Sequence, residues 1–141
     1  MTDQPYSKPF EWPVRVYYED TDAQGVVYYA NYFRFMERAR TEWLRALGAN
    51  QERMLNEERR MFVVTKTELE FIAPARFNDQ LVVTASLAGL SRATFSIEQN
   101  IYRDGLDGTL CCRGGVQAAL LNADTLRPLR VPATLFEDNS T

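Results

Sequence analysis

Three carboxylates crowd one short turn: Glu19, Asp20 and Asp22 fall within YYEDTDAQGVVYYANY, residues 17–32. The run leads directly into a segment with helical apolar spacing, so the acids stand beside a helix N-terminus. A helix start presents N–H groups without intrahelical partners and about half a unit of positive charge, which polarises a carbonyl or holds an oxyanion. A carboxylate opposite that end can attack the carbonyl or activate water. The same aspartates could instead do no more than bond nearby backbone N–H groups in Asx turns, and a carboxylate metal site has no spacing signature here. Placement decides between these readings: a well-placed oxyanion donor stabilises a transition state by about 2.7–4 kcal/mol, a surface dipole contact by about 0.3–1 kcal/mol.

The rest of the composition narrows the chemistry. The chain contains no histidine, which excludes His-based acid–base catalysis, Ser/His and Cys/His pairs and His-ligated metals. No G-x-S-x-G elbow, P-loop, H-E-x-x-H or G-x-G-x-x-G motif occurs. Sixteen basic and nineteen acidic residues give a net charge of -3, which provides no basic field for nucleic-acid binding. The only cysteines, Cys111 and Cys112, are adjacent. They are too close for an ordinary disulfide and too few for a structural zinc, and strand alternation puts one inward and one outward. They suggest a reducing compartment, the cytoplasm. The N-terminus lacks a signal-peptide core, and no apolar run approaches ~18 residues, so neither secretion nor membrane spanning is expected.

The 141 residues suit one domain. Residues 1–11 read as a loose arm and 137–141 as a frayed tail. From Pro13, VRVYYE alternates as a short strand through Glu19, followed by turn chemistry in which Gly25 can take a positive φ. From Asn31 to Leu47 a helix is expected, with Tyr32, Met36, Ala39, Trp43 and Leu47 in one stripe and Phe33, Phe35 and Leu44 widening it. Gly48 suits its stop. Asn50 can cap a polar second helix to about Arg60. Segments 62–72, 81–88, 93–101 and 109–121 read as strands, separated by PARFND (74–79), residues 89–92 and RDGLDG (103–108). Four consecutive antiparallel strands then form a meander, with the first strand free to join. The class is α+β, a curved antiparallel β-sheet wrapped around one long apolar helix.

The stretch RVYYEDTDAQGVVYYANYFRFMERARTEWLRALG resembles the signature region of the 4-hydroxybenzoyl-CoA thioesterase branch of the hot-dog fold, most closely the bacterial acyl-CoA thioesterases associated with the Tol-Pal system. The resemblance is densest over residues 14–48 and extends to TLRPLRVPATL at 125–135. The family's D-T-D-x-x-G-x-V-Y falls on Asp20, Thr21, Asp22, Gly25, Val27 and Tyr28, and its catalytic carboxylate is the second Asp, here Asp22. Tyr29 stands where the Tol-Pal branch usually has His, as in the hydroxybenzoyl-CoA enzymes, in which this residue's backbone N–H polarises the carbonyl. Glu37, Arg38 and Arg40 match the family's E-R-A-R segment and read as helix packing and pairing. The resemblance implies acyl-CoA hydrolysis without a cofactor, coenzyme A being part of the substrate. Gly25 and Val27 would line the substrate, and Arg92 in the 89–92 turn, with Arg130 the weaker candidate, would meet its phosphates. It also implies a homodimer, paired into a tetramer, with the site between subunits. A dehydratase of this fold would want a His. A non-enzymatic role, binding an acyl carrier protein or the Tol-Pal and phospholipid machinery, is the alternative.

Overall fold

The helical stripe read from Asn31 begins two residues earlier and forms α1 (Tyr29–Ala46). The computed structural model describes residues 9–137; the parts of the expected arm and tail at 1–8 and 138–141 lie outside the described residues. Tyr32, Met36, Ala39 and Trp43 are buried as expected, together with Phe35 and Leu44. The helix stops where Gly48 takes φ +103° and Ala49 N–H donates to the Leu44 carbonyl at 2.8 Å, the closure that a C′ glycine permits. A second helix, α2 (Gln51–Asn56), is capped by the Asn50 side chain, which accepts from Arg53 N–H. It ends short of the expected Arg60 because Arg59 adopts φ +54°, which no helix interior tolerates.

The strands are β1 (Phe10–Arg15), β2 (Arg60–Phe71), β3 (Gln80–Leu90), β4 (Thr94–Arg103) and β5 (Thr109–Asn122). They form one open antiparallel sheet in the order β1-β3-β4-β5-β2. The expected four-strand meander is therefore a three-strand one, β3-β4-β5, with β2 returned to the far side of β5. Residues 72–79 make the crossover, because a connection that passes two strands spans ~14 Å at about 4.8 Å per strand and a tight turn cannot reach that far. The first strand also differs from its expected range. It takes in Phe10 and Glu11 from the supposed arm, pairing Phe10 with Ala85, and stops at Arg15. Tyr18–Asp20 is a 3-10 turn instead, since the Asp20 carboxylate accepts from Tyr17 N–H at 2.8 Å and Thr21 Oγ1 donates to the Tyr18 carbonyl at 2.8 Å.

Helix α1 packs chiefly against β1 and β3. Its first half meets Val14, Val16, Leu81, Val83, Ile101 and Val116; its second half meets Ala85, Leu87, Phe95, Ile97, Leu120 and Phe136. Each large apolar side chain buried in this way contributes about 1.5–3 kcal/mol. Strand β2 lies at the helix's other flank, with Val64 and Phe71 exposed and Leu69 packed against the core. At Gly114, between β2 and Met36 of the helix, there is no room for a side chain on β5. A Cβ at Gly114 would sit 2.8 Å from the Glu68 carbonyl oxygen and 3.1 Å from Met36 Cε.

Cys111 and Cys112 do not alternate. Ile101 pairs with Cys112 and Tyr102 with Leu110, so Cys111 is the extra residue of a β-bulge and both side chains enter the same core, each fully buried. Burial pushes the Cys112 thiol up to about 12 and raises that of Cys111, against the pull of Arg103.

Gly114→Ala lowers stability by about 1–3 kcal/mol in denaturant titration, whereas Gly115→Ala, whose Cβ would lie 3.6 Å from the Ile97 carbonyl oxygen, changes it little. The native thiols resist alkylation at about pH 8 and react once the chain is unfolded. Folding favours the protonated thiol, so this stabilisation is complete below the ordinary value of 9.0 and is lost as the pH climbs toward about 12, which a pH series of denaturation midpoints reads directly.

Candidate active site

The acidic run forms a tight loop closed on itself. Thr21 and Val27 make an antiparallel bridge, Asp22 N–H donates to the Val26 carbonyl at 2.9 Å, and Gly25 N–H donates to the Asp22 carbonyl at 3.0 Å. Gly25 takes φ +80°, the left-handed conformation expected of it and strained for any residue with a Cβ. The loop is fastened to its surroundings at Val27, buried, whose N–H donates to the Ala75 carbonyl at 2.8 Å.

The junction with α1 is held by one acceptor. The Asp20 carbonyl takes Tyr28 N–H at 2.9 Å and the Asn31 side-chain amide at 2.9 Å, so the carboxylate loop and the first helical turn form one unit. Asn31 is buried. Asn31 N–H donates to the Tyr28 carbonyl, while among the described residues the N–H groups of Tyr29 and Ala30 meet no acceptor. These are the orphan donors of a helix start, available to an oxygen from outside.

Asp22 is exposed. Its Oδ1 accepts from Gln24 N–H at 2.9 Å, the Asx-turn bond expected of a structural aspartate, and among the described residues no donor reaches Oδ2. The Asx-turn bond is thus present and fixes the side chain's rotamer. Asp20 has a structural task, since its carboxylate holds Tyr17 N–H. Glu19 is exposed beside it.

An aromatic wall flanks the helix start. The exposed Tyr29 ring meets Phe71 edge-on at 6.2 Å between centroids, and Tyr32 lies 5.8 Å from the same ring. Tyr32 is buried, and its hydroxyl oxygen accepts Ala75 N–H at 3.0 Å. Burial, against the pull of that bond, holds its phenol up at about 12. Neither Asn31 nor Tyr32 was singled out as functional from sequence. An amide in the first turn of an otherwise greasy helix was the available signal for Asn31.

Arg92 and Arg130 come together: Val131 N–H donates to the Arg92 carbonyl at 2.8 Å, and both arginines are exposed. They do not come near Asp22 within one chain. Arg92 precedes the start of β4, whereas the Asp22 loop joins residues 75–79, whose neighbour Pro74 accepts from Arg103 at the other end of that strand. A ten-residue strand spans about 33 Å. Among the described residues no cluster of three or more acidic or cysteine side chains could hold a metal ion.

Comparison with known proteins agrees with this architecture. Residues 16–137 match the family model of the thioesterase-like superfamily. The acyl-CoA thioesterase YbgC of Haemophilus influenzae is 39% identical over 123 residues, covering 87% of this chain and 88% of that protein. A probable thioesterase from Bartonella henselae superposes with a TM-score of 0.82 at 34% identity, covering 89% of this chain and all of the other. The 4-hydroxybenzoyl-CoA thioesterase of Pseudomonas sp. strain CBS-3 shares the fold, with a TM-score of 0.82 at 20% identity over 92% of this chain and 97% of that one. The open sheet with one long helix is the hot-dog fold. The chain belongs to the thioesterase-like superfamily, and it is an enzyme of the thioester hydrolase class.

The Tyr32 hydroxyl gives a direct check on the loop's anchoring. Tyr32→Phe leaves the Ala75 N–H without its partner, and the expected loss is about 1–3 kcal/mol in equilibrium unfolding, with little change in the far-UV spectrum.

Proposed function

We propose that this protein hydrolyses acyl-CoA thioesters to the free acid and coenzyme A, with Asp22 as the reacting carboxylate. The observation that carries the reading is the shared carbonyl of Asp20, which makes one rigid unit of the Asp22 loop and the open N–H groups of Tyr29 and Ala30. A thioester carbonyl lying across this unit has its oxygen at the two N–H groups, where negative charge develops as the carbon becomes tetrahedral. Asp22 Oδ2 then either attacks the carbon, forming a mixed anhydride that water opens, or draws a proton from an attacking water. In both routes the thiolate of coenzyme A leaves and is protonated by solvent. A thioester is less resonance-stabilised than an amide, and its thiolate leaves readily, so no imidazole or metal is required. The Tyr29 side chain has no duty in this scheme, because the polarising group is its backbone N–H. Gly25 and Val27 shape the loop edge beside the substrate.

Arg92 and Arg130 are proposed to meet the coenzyme A phosphates. Their distance from Asp22 within one chain favours a homodimer, in which the arginines of one copy serve the aspartate of the other. The exposed outer edge of β2 suits this, since a two-fold axis there reverses the second sheet and brings opposite ends together. A further pairing into a tetramer extends the proposal. An acyl carrier protein, which presents the same kind of thioester arm, is a second acyl donor compatible with it. The cytoplasm is proposed as the compartment from the two buried free thiols.

The test is a thiol-release assay over short, long and aromatic acyl-CoAs. Turnover is expected with the wild type, and Asp22→Asn is expected to lower kcat by roughly 10²–10⁴-fold with thermal unfolding unchanged. An Asp22→Asn variant that retains wild-type kcat overturns the assignment.

A further inference from the structure

The flank of α1 that adjoins its main packing stripe carries Tyr29, Phe33, Glu37, Arg40 and Leu44 at helical spacing, the last of them buried in the core. Beside the last three of these, with Thr41, a cavity of about 120 Å³ opens between α1 and the sheet. Its remaining walls are almost wholly apolar, formed by Phe62, Val64, Phe95, Ile97 and Ala118, with Gln51 at one side. Arg40 is half-buried there, yet among the described residues it makes no ion pair within 4.0 Å. Burial lowers its affinity for a proton, against the pull of the exposed Glu37.

The guanidinium is deliberately held. Gln99, fully buried, donates from its amide nitrogen to the Met36 carbonyl at 3.0 Å and to the Thr84 carbonyl at 3.4 Å. Its oxygen is thereby turned to Arg40 Nη1, at 3.2 Å. A guanidinium has five N–H donors, and this bond uses one. A half-buried cation normally finds a charged or accepting partner; Gln99 is the one acceptor Arg40 meets among the described residues, and Arg40 itself lines the largely apolar cavity.

Position gives the cavity a meaning that rests on the acyl-CoA reading above. Because Gln99 touches both Met36 and Arg40, the guanidinium lies near the level of Met36, about 10 Å along the helix from Tyr29 at ~1.5 Å per residue. An extended carbon chain of roughly eight atoms covers that distance. We propose that Arg40 is a specificity-determining residue, binding an oxygen carried at the far end of a medium-length acyl chain whose thioester sits at the start of α1. The shared chemistry is a hydrogen-bond-accepting oxygen, supplied by a terminal hydroxyl or a terminal carboxylate. A hydroxyl can also donate to Glu37, whereas a carboxylate meets its negative charge.

The experiment compares kcat/KM for octanoyl-CoA, 8-hydroxyoctanoyl-CoA and the mono-CoA thioester of octanedioic acid, for the wild-type enzyme, Arg40→Met and Arg40→Lys. The wild type is expected to prefer at least one oxygenated chain over octanoyl-CoA by about tenfold or more. In Arg40→Met that ratio falls to near one, whatever happens to the absolute rates, and Arg40→Lys retains part of it. A purely structural role for Arg40 changes all three rates together and leaves the ratio intact. Hydrolysis of the panel without an oxygenated preference, or a preference that survives Arg40→Met, overturns the inference while leaving the hydrolase reading in place. If no thioester is cleaved, the hydrolase reading fails, and calorimetric binding of the three free acids decides the inference alone: tighter binding of an oxygenated acid that Arg40→Met abolishes supports it, and equal binding overturns it.

Discussion

The Asp20 carbonyl is the point at which this site is assembled. It accepts from the backbone at Tyr28 and from the Asn31 side chain, and those two bonds weld a self-closed acidic loop to the first turn of the long helix. A helix start attracts negative charge over only a turn or so, so a carboxylate on a separately moving loop would gain little from it. Asn31 is what converts adjacency in sequence into fixed geometry. Its burial protects the bond from water, and the loop's second anchor at Ala75 ties the same unit to the crossover between β2 and β3.

The lopsided seating of α1 has the second largest consequence. Packed over β1 and β3, the helix leaves its other flank toward strand β2 only partly filled, with Phe71 reaching Tyr29 and Tyr32 and a cavity of about 120 Å³ farther along. A more central position would have buried both flanks and left a single filled core. Aromatic contacts lie at the start of the helix and the pair of Arg40 and Gln99 farther along it, so this flank carries different chemistry at different levels. The crossover of residues 72–79 makes this arrangement possible by sending β2 to the outer edge of the sheet, where helix packing does not constrain it.

Much of this was legible in the residues. The stripe Tyr32, Met36, Ala39 and Trp43 and the stop at Gly48 specify α1, period-two runs mark β2 and β4, and a more uniformly apolar run marks β3, because local apolar spacing is set by burial. Strand order was not legible, since alternation says which side of a strand is wet and nothing about its neighbour; the adjacency of β2 and β5 depends on a long crossover. Tyr17 and Tyr18 have strand character, yet capping by Asp20 overrode it locally. Gln99 shares parity with Phe95, Ile97 and Ile101, and a polar residue on that face was a sign of a buried network. Its partners, Met36 and Arg40, lie some sixty residues away, and only the fold reveals them. In the site, the motif around Asp22 was readable as local chain geometry, whereas the separation of Arg92 and Arg130 from it follows from the length of β4.

The paired cysteines mark a place where strand β5 tolerates a change of length. On the helix side of the bulge the inward positions have even numbers, as Val116, Ala118 and Leu120 show, while Cys111 adds an odd one without disturbing the pairing of Leu110 with Tyr102. Losing one residue there would straighten the ladder and leave both faces of the strand as they are. The same loss two positions further along would turn a whole segment over, bringing Gln117 inward and Val116 out. Related chains of different length are therefore most easily reconciled at this kink, and an alignment gap belongs there in preference to the straight part of the strand.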